Sequence, residues 1–231
     1  MATLRIEPRF NGPPDSGNGG YCAGLIATSL GESVAVRLHR PVPLQRPLTI
    51  GERKDDAWAV YAADELIATA RPAKVAVRVP NAPSYTEALV ASQRYPGFGH
   101  HAFPTCFVCG PERKRHDGLC IYAGPLEGSP VMAAPWIPDE TLDNGAGKIR
   151  PEYIWAALDC PGYFATAHPR LALLGELAVH VDRLVHLDEP CVVIAWPISR
   201  DGRKHRAGTA LFDADGERCA VGVAAWIEAQ R

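Results

Sequence analysis

Apolar and polar positions alternate along two distant stretches of this chain, and the two stretches match each other. Ser33 to Pro47 reads SVAVRLHRPVPLQRP and Glu176 to Pro190 reads ELAVHVDRLVHLDEP, with Ala, Val, Arg, Val, Leu and Pro coinciding without a gap. Period-two alternation predicts half-buried strands, each running into a turn and a second strand. An apolar helix candidate precedes each stretch, Gly20 to Leu30 (GYCAGLIATSL) and Pro151 to Ala165 (PEYIWAALDCPGYFA). Further strands follow, ending in Glu65 to Val79 and in Glu217 to Glu228. The last follows the turn Asp213, Ala214, Asp215, Gly216, whose Asp-Gly is a strong hairpin signal.

Between the copies, Pro80 to Phe103 is rich in Pro, Gly, Tyr and His and reads as a connector with one helical turn around Tyr85 to Arg94. The expected division is a first unit over residues 1–95 and a second over 96–231, which includes the end of the connector. The second unit opens with two strands, around Leu119 to Ala123 and Val131 to Pro135. The first has room for one, Thr3 to Phe10. Strand, central apolar helix and antiparallel strands make an α+β plan, a curved sheet wrapping one helix. One such unit leaves a sheet edge and a helix flank uncovered, so two would cover each other and continue one sheet.

Composition narrows the function classes. At 231 residues, 47% hydrophobic and 22% charged, the chain is of ordinary globular make-up. The net charge is −2 and the basic residues are scattered, apart from Arg113, Lys114, Arg115 and His116, so no nucleic-acid partner is expected. No signal peptide is visible in MATLRIEPRFNGPP, and no run approaches the about 18 apolar residues of a membrane span. A cytoplasmic protein without membrane contact is the expectation. Outer sheet edges leave room for a homo-oligomer.

Seven cysteines are an odd number, and Cys22, Cys120, Cys160, Cys191 and Cys219 sit in apolar surroundings, which suits reduced thiols. Cys106 and Cys109 form a CxxC with His100, His101 and His116 nearby. A zinc site needs four such ligands and no second CxxC follows, so the expectation is a turn at an apolar strand start, with no metal. His180, Asp182 and His186 alternate along a strand as a polar face. Arg40 and Arg183 are repeat-equivalent arginines at strand ends. No GxSxG elbow, P-loop or HExxH occurs.

With helix and repeat in place, the chain resembles the hotdog-fold acyl-CoA thioesterase superfamily in its tandem, double-hotdog form. Cys106 to Leu119, CFVCGPERKRHDGL, resembles the opening of bacterial members, where the motif carries no metal. Tyr153 to Gly162, YIWAALDCPG, resembles their helix, in which a Gly-Gly start is followed by an acidic residue about two turns later. Gly19-Gly20 resembles that glycine pair. Matching Tyr21 with Tyr153 sets Gly20 against Glu152 and Ala27 against Asp159, so one copy keeps the glycines and the other the acid. The family pattern sets the acid of one subunit near the helix start of its partner. By that pattern the chain carries one intact composite site, Gly20 and Tyr21 with Asp159, and one decayed site, Ala27 with Glu152.

Thioester hydrolysis needs donors for a developing oxyanion and a base or nucleophile. A glycine-flanked helix start offers free N–H groups and a positive dipole end, which Gly20 and Tyr21 would supply, with Asn18, Gly19, Trp155 and Tyr163 contacting the substrate. The alternative is a turn, SGNGG, capped by Ser16 or Asn18. Asp159 stands on an apolar helix face, where burial would raise its pKa toward that of a useful base. The alternative is an Asp hydrogen-bonded locally where Cys160-Pro161 breaks the helix.

The basic run at 113–116 suits the phosphates of coenzyme A or an exposed loop. The resemblance thus implies hydrolysis of a small or medium acyl-CoA thioester without a cofactor. The alternative is a non-catalytic acyl-CoA-binding or scaffolding hotdog protein. A hydratase of this fold relies on a histidine near the helix start, and neither helix contains one.

Overall fold

The computed structural model describes residues 3–230. Its strands are β1 (Thr3–Leu4), β2 (Val34–Leu38), β3 (Leu48–Ile50), β4 (Trp58–Ala62), β5 (Glu65–Pro72), β6 (Gly124–Pro125), β7 (Met132–Trp136), β8 (Ala172–Val181), β9 (Cys191–Asp201), β10 (Lys204–Phe212) and β11 (Arg218–Glu228). Four α-helices join them: α1 (Gly19–Leu30), α2 (Tyr85–Ser92), α3 (Pro151–Ala157) and α4 (Cys160–Thr166).

All strands belong to one antiparallel sheet in the order β1-β3-β4-β5-β2-β8-β11-β10-β9-β7-β6. The two halves of the chain meet in the middle of that sheet, where β2 pairs with β8 with Ala35 opposite Ala178, Val36 opposite Leu177 and Arg37 opposite Glu176. Ala35 and Ala178 are also equivalent in the sequence repeat. A residue paired with its own repeat equivalent marks a local twofold relation between the two stretches.

The alternation read from sequence becomes two faces. On β9, Cys191, Val193 and Ala195 belong to the main core, while Val192, Ile194 and Trp196 belong to a second apolar cluster with Ala88 and Ala91 of α2. Ser84 and Glu87 cap α2 reciprocally, which helps this short helix hold its place on the outer face. It is a two-turn helix where the sequence suggested one turn.

Other expected elements differ. The strand expected over Thr3 to Phe10 ends at Leu4 and is followed by a 3-10 turn at Pro8–Phe10, where proline fixes φ. The strand expected to reach Val79 stops at Pro72, because the N–H of a ladder position is lost at a proline. Residues 119–123 are not a strand of the sheet; Leu119 and Ile121 instead donate to the carbonyls of Phe107 and Val108.

The helix expected over Pro151 to Ala165 is two helices. Pro161 has no N–H for the helical ladder and its ring crowds the preceding turn. The helix therefore stops at Ala157 and restarts at Cys160, leaving Asp159 between them at φ −87°, ψ −84°.

Candidate active site

α1 begins against the break between α3 and α4. Asn18 caps it, its Oδ1 accepting from Tyr21 N at 2.9 Å. A side chain at Gly20 would put its Cβ 2.4 Å from Asp159 Cβ and 2.7 Å from the Trp155 carbonyl, so only glycine lets the helices approach this closely. The approach delivers the Gly20 N–H to Asp159 Oδ2 at 2.9 Å, and Asn18 Nδ2 donates to the same oxygen at 2.9 Å. The other carboxyl oxygen, Oδ1, is buried without a partner.

Asp159 is 1% exposed. Burial pushes its pKa up to about 7, against the hydrogen bonds from Gly20 and Asn18, which favour the charged form. A carboxyl with one oxygen anchored by two donors and one free can accept a proton or attack an electrophile.

Asp159 lines a cavity of about 1130 Å³. Asn18, Gly19 and Tyr163, three residues expected to contact substrate, also line it. Two further buried polar atoms without a protein partner, His168 Nε2 and Trp226 Nε1, belong to residues of the same wall. A ligand with polar groups would satisfy such atoms, which are costly when left unpaired. Neither His168 nor Trp226 stands in a sequence motif; only the fold brings them to the wall of the cavity that Asp159 also lines.

Other expected residues stand elsewhere. Trp155 packs against Gly24 of α1 and does not line the cavity. Gly20 and Tyr21 are likewise absent from the wall. The Tyr21 ring is buried, stacked on Phe10 at 4.0 Å and facing Tyr153 at 5.8 Å, and its N–H serves the Asn18 cap.

Glu152 is buried beside Arg150, with Arg150 Nε 3.4 Å from Glu152 Oε1, and does not reach the cavity. The basic run also lies away from it. Arg113 pairs with Asp117 at 2.6 Å and donates to the Thr105 carbonyl at 2.7 Å, which ties down a loop. Arg40 does reach the cavity wall, 3.1 Å from Glu65, and Arg203 lies there too. Arg183 is instead bound to Glu189 and Asp213.

The CxxC lines the cavity with a third cysteine. Cys106, Cys109 and Cys160 are all buried, and His101 Nε2 lies 3.3 Å from Cys109 Sγ. Hydrogen bonds from the Cys109 and Cys160 thiols hold Cys106 well below the usual thiol range, while Cys109 and Cys160 are raised.

No protein-family model and no curated protein matches the sequence. Solved structures do match in fold. The TesB protein of Mycobacterium avium subspecies paratuberculosis aligns over 99% of this chain and 92% of its own, at 14% identity and TM-score 0.62. A proposed thioesterase from Novosphingobium aromaticivorans covers 99% and 95%, at 11% identity and TM-score 0.58. A thioesterase-superfamily protein at 19% identity and TM-score 0.50 is matched over 57% of this chain and 64% of that one, less than two thirds of its length. The large antiparallel sheet with few helices is thus the fold that this chain shares with those structures. No helix among the described residues is long and apolar enough to cross a membrane.

Proposed function

We propose that the chain is a tandem double hotdog, residues 1–95 and 96–231, that hydrolyses a small or medium acyl-CoA thioester in the cavity beside Asp159. The observation that carries the reading is the Asp159 carboxyl, anchored at Oδ2 by Gly20 N–H and Asn18 Nδ2 and unpartnered at Oδ1, on a cavity wall. The pairing of Ala35 with its repeat equivalent Ala178 supports the tandem division.

Oδ1 is the reacting oxygen, acting on the thioester carbon directly or through a water. Gly20 N–H already holds Asp159 and Tyr21 N–H already holds the cap. The developing oxyanion therefore falls to the cavity end of α1, where Gly19 offers a first-turn N–H at the positive end of the dipole. Arg40 and Arg203 suit the nucleotide phosphates. The site combining Gly20 with Asp159 is the working one, and the Ala27 with Glu152 counterpart is silent.

Loss of thioester absorbance from short, medium, long and aryl acyl-CoAs tests this. Asp159→Asn should lower the rate about 100-fold or more, as for a lost base. Undiminished turnover in that variant overturns the assignment. The engaged N–H groups at the start of α1 also fit a non-catalytic acyl-CoA binder, which saturable binding without turnover of any of the four classes would establish instead.

A further inference from the structure

Cys160, at the start of α4, is 54 residues from Cys106, yet their sulfurs are 3.7 Å apart. The sulfurs of Cys106, Cys109 and Cys160 all lie within 4.8 Å of one another. We propose that these three cysteines bind a zinc ion as a trithiolate, with solvent from the cavity in the fourth position.

The spacing is that of a coordination shell. Zinc with sulfur at about 2.3 Å in tetrahedral geometry sets its ligand sulfurs about 3.8 Å apart. Cys106 and Cys160 already stand at that separation, and the Cys109 sulfur lies within 4.8 Å of both. The loop between the CxxC cysteines is built as a tight knuckle. Gly110 N donates to the Cys106 carbonyl at 2.9 Å, and a Cβ at Gly110 would come 2.5 Å from Cys106 N.

Donors surround the sulfurs. Asn18 Nδ2 is 3.8 Å from both Cys106 Sγ and Cys160 Sγ. His101 Nδ1 accepts from Phe103 N at 2.9 Å, which leaves the ring proton on Nε2, aimed at Cys109 Sγ at 3.3 Å. His101 is therefore a hydrogen-bond donor to a ligand sulfur, not a ligand. N–H donors around metal-bound thiolates orient the ligands and disperse their charge.

Three thiolates select a soft borderline cation such as zinc over magnesium or calcium. Each thiol that ligates releases its proton, so the ion forms three Zn–S bonds with no change of oxidation state. Bound there, zinc joins the CxxC loop to the start of α4 and fixes the wall next to Asp159. The proposal does not depend on thioester hydrolysis.

The test is the metal content of protein purified without chelator and then exposed to Zn2+ and dialysed. One zinc per chain is expected. Co2+ added to the metal-free protein should give a near-ultraviolet sulfur-to-cobalt charge-transfer band and the intense visible bands of a tetrahedral site. Cys109→Ser and Cys160→Ser should lose both, while Cys120→Ser, a cysteine outside the cluster, keeps them. Wild-type protein that retains no zinc and shows no charge-transfer band overturns the proposal without reference to any variant, as does a disulfide within the trio in freshly purified protein. Both readouts need no substrate, so a failed hydrolysis assay and a failed metal site are told apart.

Discussion

The backbone N–H of Gly20 donates to Oδ2 of Asp159 at 2.9 Å, joining the start of α1 to the break between α3 and α4. The contact exists only because position 20 has no side chain. Gly20→Ala drives a Cβ to 2.4 Å from Asp159 Cβ and 2.7 Å from the Trp155 carbonyl, and the backbone oxygen cannot rotate away. Overpacking of this kind costs about 1–3 kcal/mol. A lowered melting temperature together with a rate loss of about 100-fold, from displacement of Asp159 by roughly 1 Å, is expected. Wild-type stability in Gly20→Ala would refute the packing.

Asn18 does two things that substitutions can separate. Its Oδ1 caps α1 and its Nδ2 donates to Asp159. Asn18→Ser keeps a capping oxygen and loses the amide donor to buried Asp159, so turnover should fall and stability should drop by about 1 kcal/mol. Asn18→Ala loses the cap as well, at about 1 kcal/mol more. Thermal melts run beside acyl-CoA assays on both variants read the split. Equal stability of the two would deny the capping role.

Glu152 is the counterpart of Gly20 in the helix register and is buried away from the cavity. Glu152→Gln should leave turnover unchanged and cost no more than about 1 kcal/mol, since its partner Arg150 is half-exposed. A large loss of activity in this variant would contradict the division into a working and a silent site.

Arg183 ties Glu189 and Asp213 together at the end of the second repeat stretch. Burial pushes both carboxyls up, but Arg183 together with backbone N–H donors, His186 to Glu189 and Asp215 and Glu217 to Asp213, leaves each below its ordinary value. A carboxylate with a depressed folded pKa contributes stability above its unfolded pKa, about 4, and loses it as pH falls through the folded value. Arg183→Met should therefore be clearly destabilised at pH 7 and much less so near pH 3. Denaturant melts at the two pH values give the comparison, and a pH-independent difference would count against the linkage.

Much of the sheet was legible from periodicity. The two alternating stretches became β2 and the second half of β8, the Asp-Gly turn joined β10 to β11, and the repeat register appears in space as Ala35 opposite Ala178. The strands and the turn depend on near neighbours in the chain, where side-chain alternation and turn chemistry act directly, whereas the Ala35–Ala178 pairing joins distant residues.

The site was legible only in part. Asp159 and the glycines before α1 stood out, and Asn18 was visible as a cap. That Trp155 packs against Gly24 of α1, that the 113–116 basic run ties down a loop, and that His168 and Trp226 join the cavity wall could not be read from spacing. Cys160 reads in the sequence only as a buried reduced thiol, because a CxxC looks incomplete until the fold carries a third thiol to it. The sequence by itself determined the repeat, the strands and the break-prone helix. The tertiary structure alone decided which distant groups meet, since the close packing of α1 on α3, permitted by the missing side chain at Gly20, brings the two halves into contact and no local pattern encodes that contact.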